Sequence, residues 1–113
     1  KRRQIAATYS NKIMGDFVLP SVIRDSEAVY YVYTLRHPRR ELIMKKLKEN
    51  GIPVGIYYPI PLHLQGAYKF LKYKKRSLPI TEKACVEIFS IPMFPELNDF
   101  EIKKIISVLN RSL

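Results

Sequence analysis

The stretch "GIYYPIPLHLQGAY", Gly55 to Tyr68, gathers three tyrosines, two prolines and His63 into fourteen residues. Imidazole changes charge near neutrality and can donate to a phosphate or a sugar hydroxyl. The prolines ahead of His63 restrict the backbone and hold the ring better than an ordinary loop would. On local chemistry alone the simpler reading is an aromatic loop whose histidine is satisfied by backbone.

Other reactive residue types are sparse. His37, the second histidine, has no HxxxH, CxxC or carboxylate cluster beside it, and neither has His63, so no metal site is expected. The glycines are isolated at 15, 51, 55 and 66, which excludes a glycine-rich phosphate loop. Cys85, the only cysteine, cannot form an internal disulfide and suits a reducing cytoplasm. In "TEKACVEIF" it reads as an inert core thiol, since no histidine lies near it in sequence to activate it.

These residues are carried by a chain of 113 residues, enough for one domain with its own core and too short for a second. With 47% hydrophobic and 27% charged residues it should fold. Apolar runs are broken well short of the roughly 20 residues a membrane span needs. Nothing at the start reads as an export leader. The chain begins at Lys1 and enters a helical pattern at once, which suggests a piece of something larger. The formal charge of +10 invites an anion: nucleic acid, acidic lipid or a phosphorylated small molecule. Solvated basic faces whose partner charges lie elsewhere account for it equally well.

Ile5, Tyr9 and Ile13, with Ala6 alongside and Gly15 at the stop position, predict a first helix. "DFVLPSVIRD" reads as an extended connector. "AVYYVYTLR", Ala28 to Arg36, predicts a strand, and Pro38 then opens a helix with Leu42, Ile43 and Leu47 on its apolar face before Gly51. "PVGIYYP" predicts a second strand, and "LQGAYKFL" a short helical piece. Thr81 is the expected N-cap of a helix placing Ala84, Cys85, Ile88 and Phe89 on one side, and "FSIPMFP" a brief third strand. Asn98 and Glu101 form a capping box, Leu97 can staple onto Ile102, and Ile102, Ile105, Ile106, Leu109 and Leu113 line one face. The expected fold is α+β: a small three-stranded, mainly antiparallel sheet with helices packed on one face. Tyrosines on the first strand with basic residues downstream also leave open a base-stacking nucleic-acid module, although no RNA-recognition signature is present.

The order "RRELIMKKLKENGIPVGIYYPIPLHLQGAY", then "LPITEKACVEIFSIPMFPEL", closely resembles the C-terminal region of the DegT/DnrJ/StrS family of nucleotide-sugar aminotransferases. Three motifs carry it in order: Tyr-x-x-Pro-Leu-His-x-Gln-x-Ala-Tyr, Leu-Pro-x-Thr-Glu and Ser-x-Pro-Met-x-Pro-Glu-Leu. The resemblance implies the small domain of a fold type I pyridoxal-phosphate enzyme. Such enzymes pass an amino group, usually from glutamate, to a keto group of a nucleotide-linked sugar, in cell-surface or secondary-metabolite sugar biosynthesis. It further implies a cytoplasmic homodimer, with the Schiff-base lysine on a large domain outside this chain, so that the fragment alone is inert. Residues 1–15 then correspond to the helix leaving that large domain, and 16–113 to the small domain.

The same resemblance makes His63 the leading substrate-binding candidate, supported by Tyr57, Tyr58 and Gln65, with Arg36 secondary. No residue of the chain is assigned a catalytic role. Three departures stand out: Tyr31 replaces a histidine frequent in relatives, "KYKKRSLP" replaces a frequent Gly-Asp before Leu-Pro, and Gly66 replaces a frequent proline, loosening the loop. A regulatory relative that has lost catalysis remains the alternative within the family.

Overall fold

The computed structural model describes all 113 residues. Helical spacing at the start is realised as α1 (Arg2–Lys12), which buries Ile5, Ala6 and Tyr9. Gly15, at φ +100°, turns the chain in a region that L side chains rarely adopt. The expected connector follows, and its one backbone pairing is a bridge from Val18 to Arg36.

β1 (Tyr33–Arg36) pairs antiparallel with β2 (Ile88–Ile91), in a register that sets Tyr33 opposite Ile91 and Leu35 opposite Phe89. Strand alternation sends these four inward, where they join the buried faces of α1, α2 (Arg40–Glu49) and α4 (Asp99–Asn110). Each such side chain removed from water contributes about 1.5–3 kcal/mol. On the opposite side of the sheet, the hydroxyls of Thr34 and Ser90 lie 2.8 Å apart.

The sheet is shorter than the sequence suggests. Two strands form rather than three, and "PVGIYYP" contributes only the bridge between Gly55 and Ser90, whose backbones exchange both hydrogen bonds. Pro53 and Pro59 lack the N–H that a longer ladder would use on either side. β1 also starts late, because Tyr30 adopts φ 49° and breaks the extended run.

Helix boundaries shift for identifiable reasons. α2 starts at Arg40, after Pro38, and its apolar stripe is Ile43, Met44 and Leu47, leaving Leu42 exposed. α3 (Pro79–Glu87) begins two residues before the expected cap Thr81, with proline in its first turn. It ends at Glu87, so Ile88 and Phe89 belong to β2 rather than to a helical face. Cys85 is half-buried, not a core thiol, because α3 buries only Glu87 while exposing Ile80 and Val86. The Asn98–Glu101 capping box is present in both directions, with Leu97 and Ile102 buried beside it. Ile102, Ile105, Ile106 and Leu109 face the core, whereas Leu113 lies past the helix, at the surface.

Candidate functional site

The loop after Gly55 folds into two short 3₁₀ turns, Leu62–Leu64 and Gly66–Leu71, which fit a segment too interrupted by proline for an α-helix. His63 lies inside it, 8% exposed. Its Nε2 is 3.0 Å from Glu82 Oε1, and the edge of Tyr73 meets its ring at 5.8 Å. An ionised carboxylate only accepts, so Nε2 carries the proton and Nδ1 holds the lone pair in the neutral ring. Nδ1 has no partner within the chain.

Glu82 holds more than the histidine. Its Oε2 accepts the backbone N–H of Arg76 at 2.9 Å, and Oε1 accepts that of Leu78 at 3.3 Å. The Arg76 N–H foremost, followed by the His63 ring, holds this carboxyl below its ordinary titration range against the opposing effect of desolvation. The residue therefore joins the histidine loop, the basic turn and the start of α3. Sequence reasoning missed it, although a glutamate in the first turn after Leu78-Pro79 was the available signal.

The other sequence candidates are placed as follows. Tyr57 and Tyr58 are exposed, with rings 5.9 Å apart and edge to face. The Tyr57 ring covers Gly55 so closely that an added Cβ would meet its hydroxyl at 2.7 Å. Tyr57 and the exposed Tyr31 both line one cavity of about 330 Å³. Gln65 donates to the Ile60 carbonyl at 3.2 Å and fastens the loop to itself. Arg36 is not gathered with these residues; it pairs with Glu87 Oε2 at 2.8 Å, on the far end of α3. His37 is structural: Nδ1 accepts the Arg39 N–H at 2.9 Å just before α2.

The sheet offers no base-stacking face. Tyr33 is fully buried, Tyr30 and Tyr31 lie outside the strand, and the outward positions of β1 are Thr34 and Arg36. No helix is long and apolar enough to cross a membrane.

A family model described as the DegT/DnrJ/EryC1/StrS aminotransferase family matches residues 1–110. The chain belongs to this family. It is 44% identical over 103 residues to the "Pleiotropic regulatory protein" of Geobacillus stearothermophilus, covering 88% of the chain and 28% of that protein. It is 45% identical over 80 residues to a dTDP-3-amino-3,4,6-trideoxy-alpha-D-glucose transaminase of Micromonospora megalomicea subsp. nigra, covering 70% of the chain and 21% of that protein. Among solved structures, S. venezuelae DesV in complex with a ketimine intermediate superposes with TM-score 0.92 at 29% identity, over 96% of this chain and 30% of that one. The chain thus spans less than a third of the length of these relatives.

The DegT/DnrJ/EryC1/StrS family is pyridoxal-phosphate-dependent in general, which allows a direct test of the residues present. A Schiff-base lysine requires a desolvated pocket, and none of the twelve lysines is buried. Within the residues present no lysine is enclosed.

Proposed function

We propose that this chain is the C-terminal small domain of an aminotransferase that uses pyridoxal phosphate to aminate a keto group on a nucleotide-linked sugar, with glutamate as donor. The observation that carries the reading is the family match over residues 1–110. The close superposition on an aminotransferase and the transaminase names of several relatives support it further. Residues 1–15 serve as the connection from the large domain and 16–113 as the small domain, in a cytoplasmic homodimer that makes sugars for the cell surface or secondary metabolites. The fragment alone is inert in this reading.

His63, Tyr57, Tyr58 and Gln65 form the substrate-facing edge. In the neutral ring, His63 Nδ1 accepts from a sugar hydroxyl; when protonated, it donates to phosphate. Arg36, the secondary candidate, is engaged by Glu87 and serves the fold rather than this edge. The apolar surface of Leu62, Phe70 and Ile80 is exposed here and supports docking against the rest of the protein.

The experiment is expression of the chain with its native N-terminal remainder. Internal-aldimine absorbance and glutamate-dependent amination of a keto-sugar nucleotide are expected, and no cofactor binding by that protein would overturn the reading. The 44% identity to a protein named as a pleiotropic regulator favours a second reading, a regulatory family member without catalysis. Cofactor bound without turnover, across a panel of keto-sugar nucleotides, is the result it requires.

A further inference from the structure

From Asn50 to Thr81 the chain contains no Asp or Glu, yet it carries Lys69, Lys72, Lys74, Lys75 and Arg76. All five are exposed, and none takes part in any ion pair of the molecule. Several basic residues elsewhere pair with acids, as in Arg3–Glu27 and Arg40–Glu41. Half of the net charge of +10 therefore lies in this acid-free segment.

That turn has a defined shape. Ser77 N–H donates to the Lys74 carbonyl at 3.1 Å, and the Ser77 hydroxyl accepts the Lys74 N–H at 3.0 Å. Lys72 and Arg76 both adopt positive φ, 58° and 73°, so the chain reverses sharply on either side of Lys74 and Lys75. Glu82 then fastens Arg76 and His63 with its two oxygens. With three donors engaged, this carboxylate stays ionised and has its oxygens turned to the turn and the histidine it holds. Tyr73, between the lysines in sequence, supplies the aromatic contact to the His63 ring.

We infer that the Lys72–Arg76 turn and His63 form one site for the diphosphate of a nucleotide, and that Glu82 is the positioning residue that holds them together. The inference rests on the aminotransferase reading for the substrate class, and goes beyond it in assigning the phosphates to residues. Two linked phosphates match a row of flexible ammonium groups, which bind as point charges. With the ring protonated, His63 donates from Nδ1 and adds one directed hydrogen bond.

The test uses the protein carrying this chain with its native remainder, titrated calorimetrically with inorganic pyrophosphate and with orthophosphate. The double variant Lys74→Gln/Lys75→Gln is expected to weaken pyrophosphate binding about tenfold, with a smaller effect on orthophosphate. Lys103→Gln/Lys104→Gln, an equal charge change on α4, should leave it within about twofold. Equal losses in the two doubles, or none, overturn the site. Glu82→Gln is expected to raise KM for the nucleotide sugar with kcat retained, whereas a parallel loss in kcat removes the positioning role. Aldimine formation with pyrophosphate binding indifferent to Lys74→Gln/Lys75→Gln overturns the site and leaves the aminotransferase. The pyrophosphate response without any cofactor binding does the reverse.

Discussion

His63 Nε2 and Glu82 Oε1 lie 3.0 Å apart across nineteen residues of sequence, and this contact fixes the histidine loop to the first turn of α3. Because the Glu82 carboxyl titrates below its ordinary range in the folded chain, its contribution to stability is complete above that range. It is lost as pH falls through the lowered folded value. Acid is therefore expected to release the loop before the core. Amide exchange at Arg76 and Leu78 should accelerate in that window while exchange in α4 does not, and Glu82→Gln should abolish the pH dependence.

Arg36 gives a clean separation of structure from binding. Its guanidinium is part-buried against Glu87, and a lysine keeps the charge without the fork geometry. Arg36→Lys is expected to cost about 1–2 kcal/mol in urea denaturation and to leave KM for the nucleotide sugar of the complete protein unchanged. A raised KM at unaltered stability would return Arg36 to the binding edge.

Tyr9 is fully buried, and its hydroxyl donates to the Pro92 carbonyl at 3.0 Å. Burial pushes this phenol well above its usual range, so it is neutral near neutral pH. Tyr9→Phe leaves that carbonyl without its donor and should cost about 1–2 kcal/mol, read from the denaturation midpoint.

The glycines at 15 and 66 should respond oppositely to alanine. At Gly15 the φ of +100° and a Leu113 Cδ1 atom 2.8 Å from an added Cβ both oppose it, and a loss of about 1–2 kcal/mol is expected. At Gly66 nothing lies within 4 Å, so alanine should stabilise by about 0.5 kcal/mol by restricting the unfolded chain. Thermal unfolding followed by circular dichroism measures both.

Asn98 accepts the Glu101 N–H at 2.9 Å while Glu101 accepts the Asn98 N–H at the same distance. Asn98→Ala should cost about 1 kcal/mol, with accelerated amide exchange confined to the first turn of α4.

The elements legible in the sequence were those with their own periodicity or punctuation. Ile102, Ile105, Ile106 and Leu109 announce α4, and the Asn98–Glu101 pair fixes its start. The two strands that form were legible as segments, "AVYYVYTLR" from its β-branched and aromatic density and "FSIPMFP" as a brief strand, while their pairing and register come from the structure. The reduction of the expected "PVGIYYP" strand to a single bridge was not legible, because the propensity of Val54 and Ile56 says nothing about whether neighbouring prolines leave N–H groups to pair. The core face of α2 was misplaced by one residue, since Leu42 and Met44 are equally apolar and tertiary packing selects between them. His63 and its loop were visible as a motif. Its partner Glu82 was not singled out: its place in the first turn of α3 signals the two backbone donors from Arg76 and Leu78, but nothing local signals the contact to His63 nineteen residues away.

One junction has consequences for how the domain can move. α3 ends at Glu87 and β2 begins at Ile88, with no linking residue, and Arg40 reaches the carbonyls of Cys85 and Ile88 across the join. Hinges use loop or element-terminal positions free to change φ and ψ, and the Arg40 hydrogen bonds tie both sides of this join together. Glu82 and the sheet are thus two ends of one lever. A displacement of the loop that keeps the Glu82 contact must carry β2, and the core behind it, as a single body.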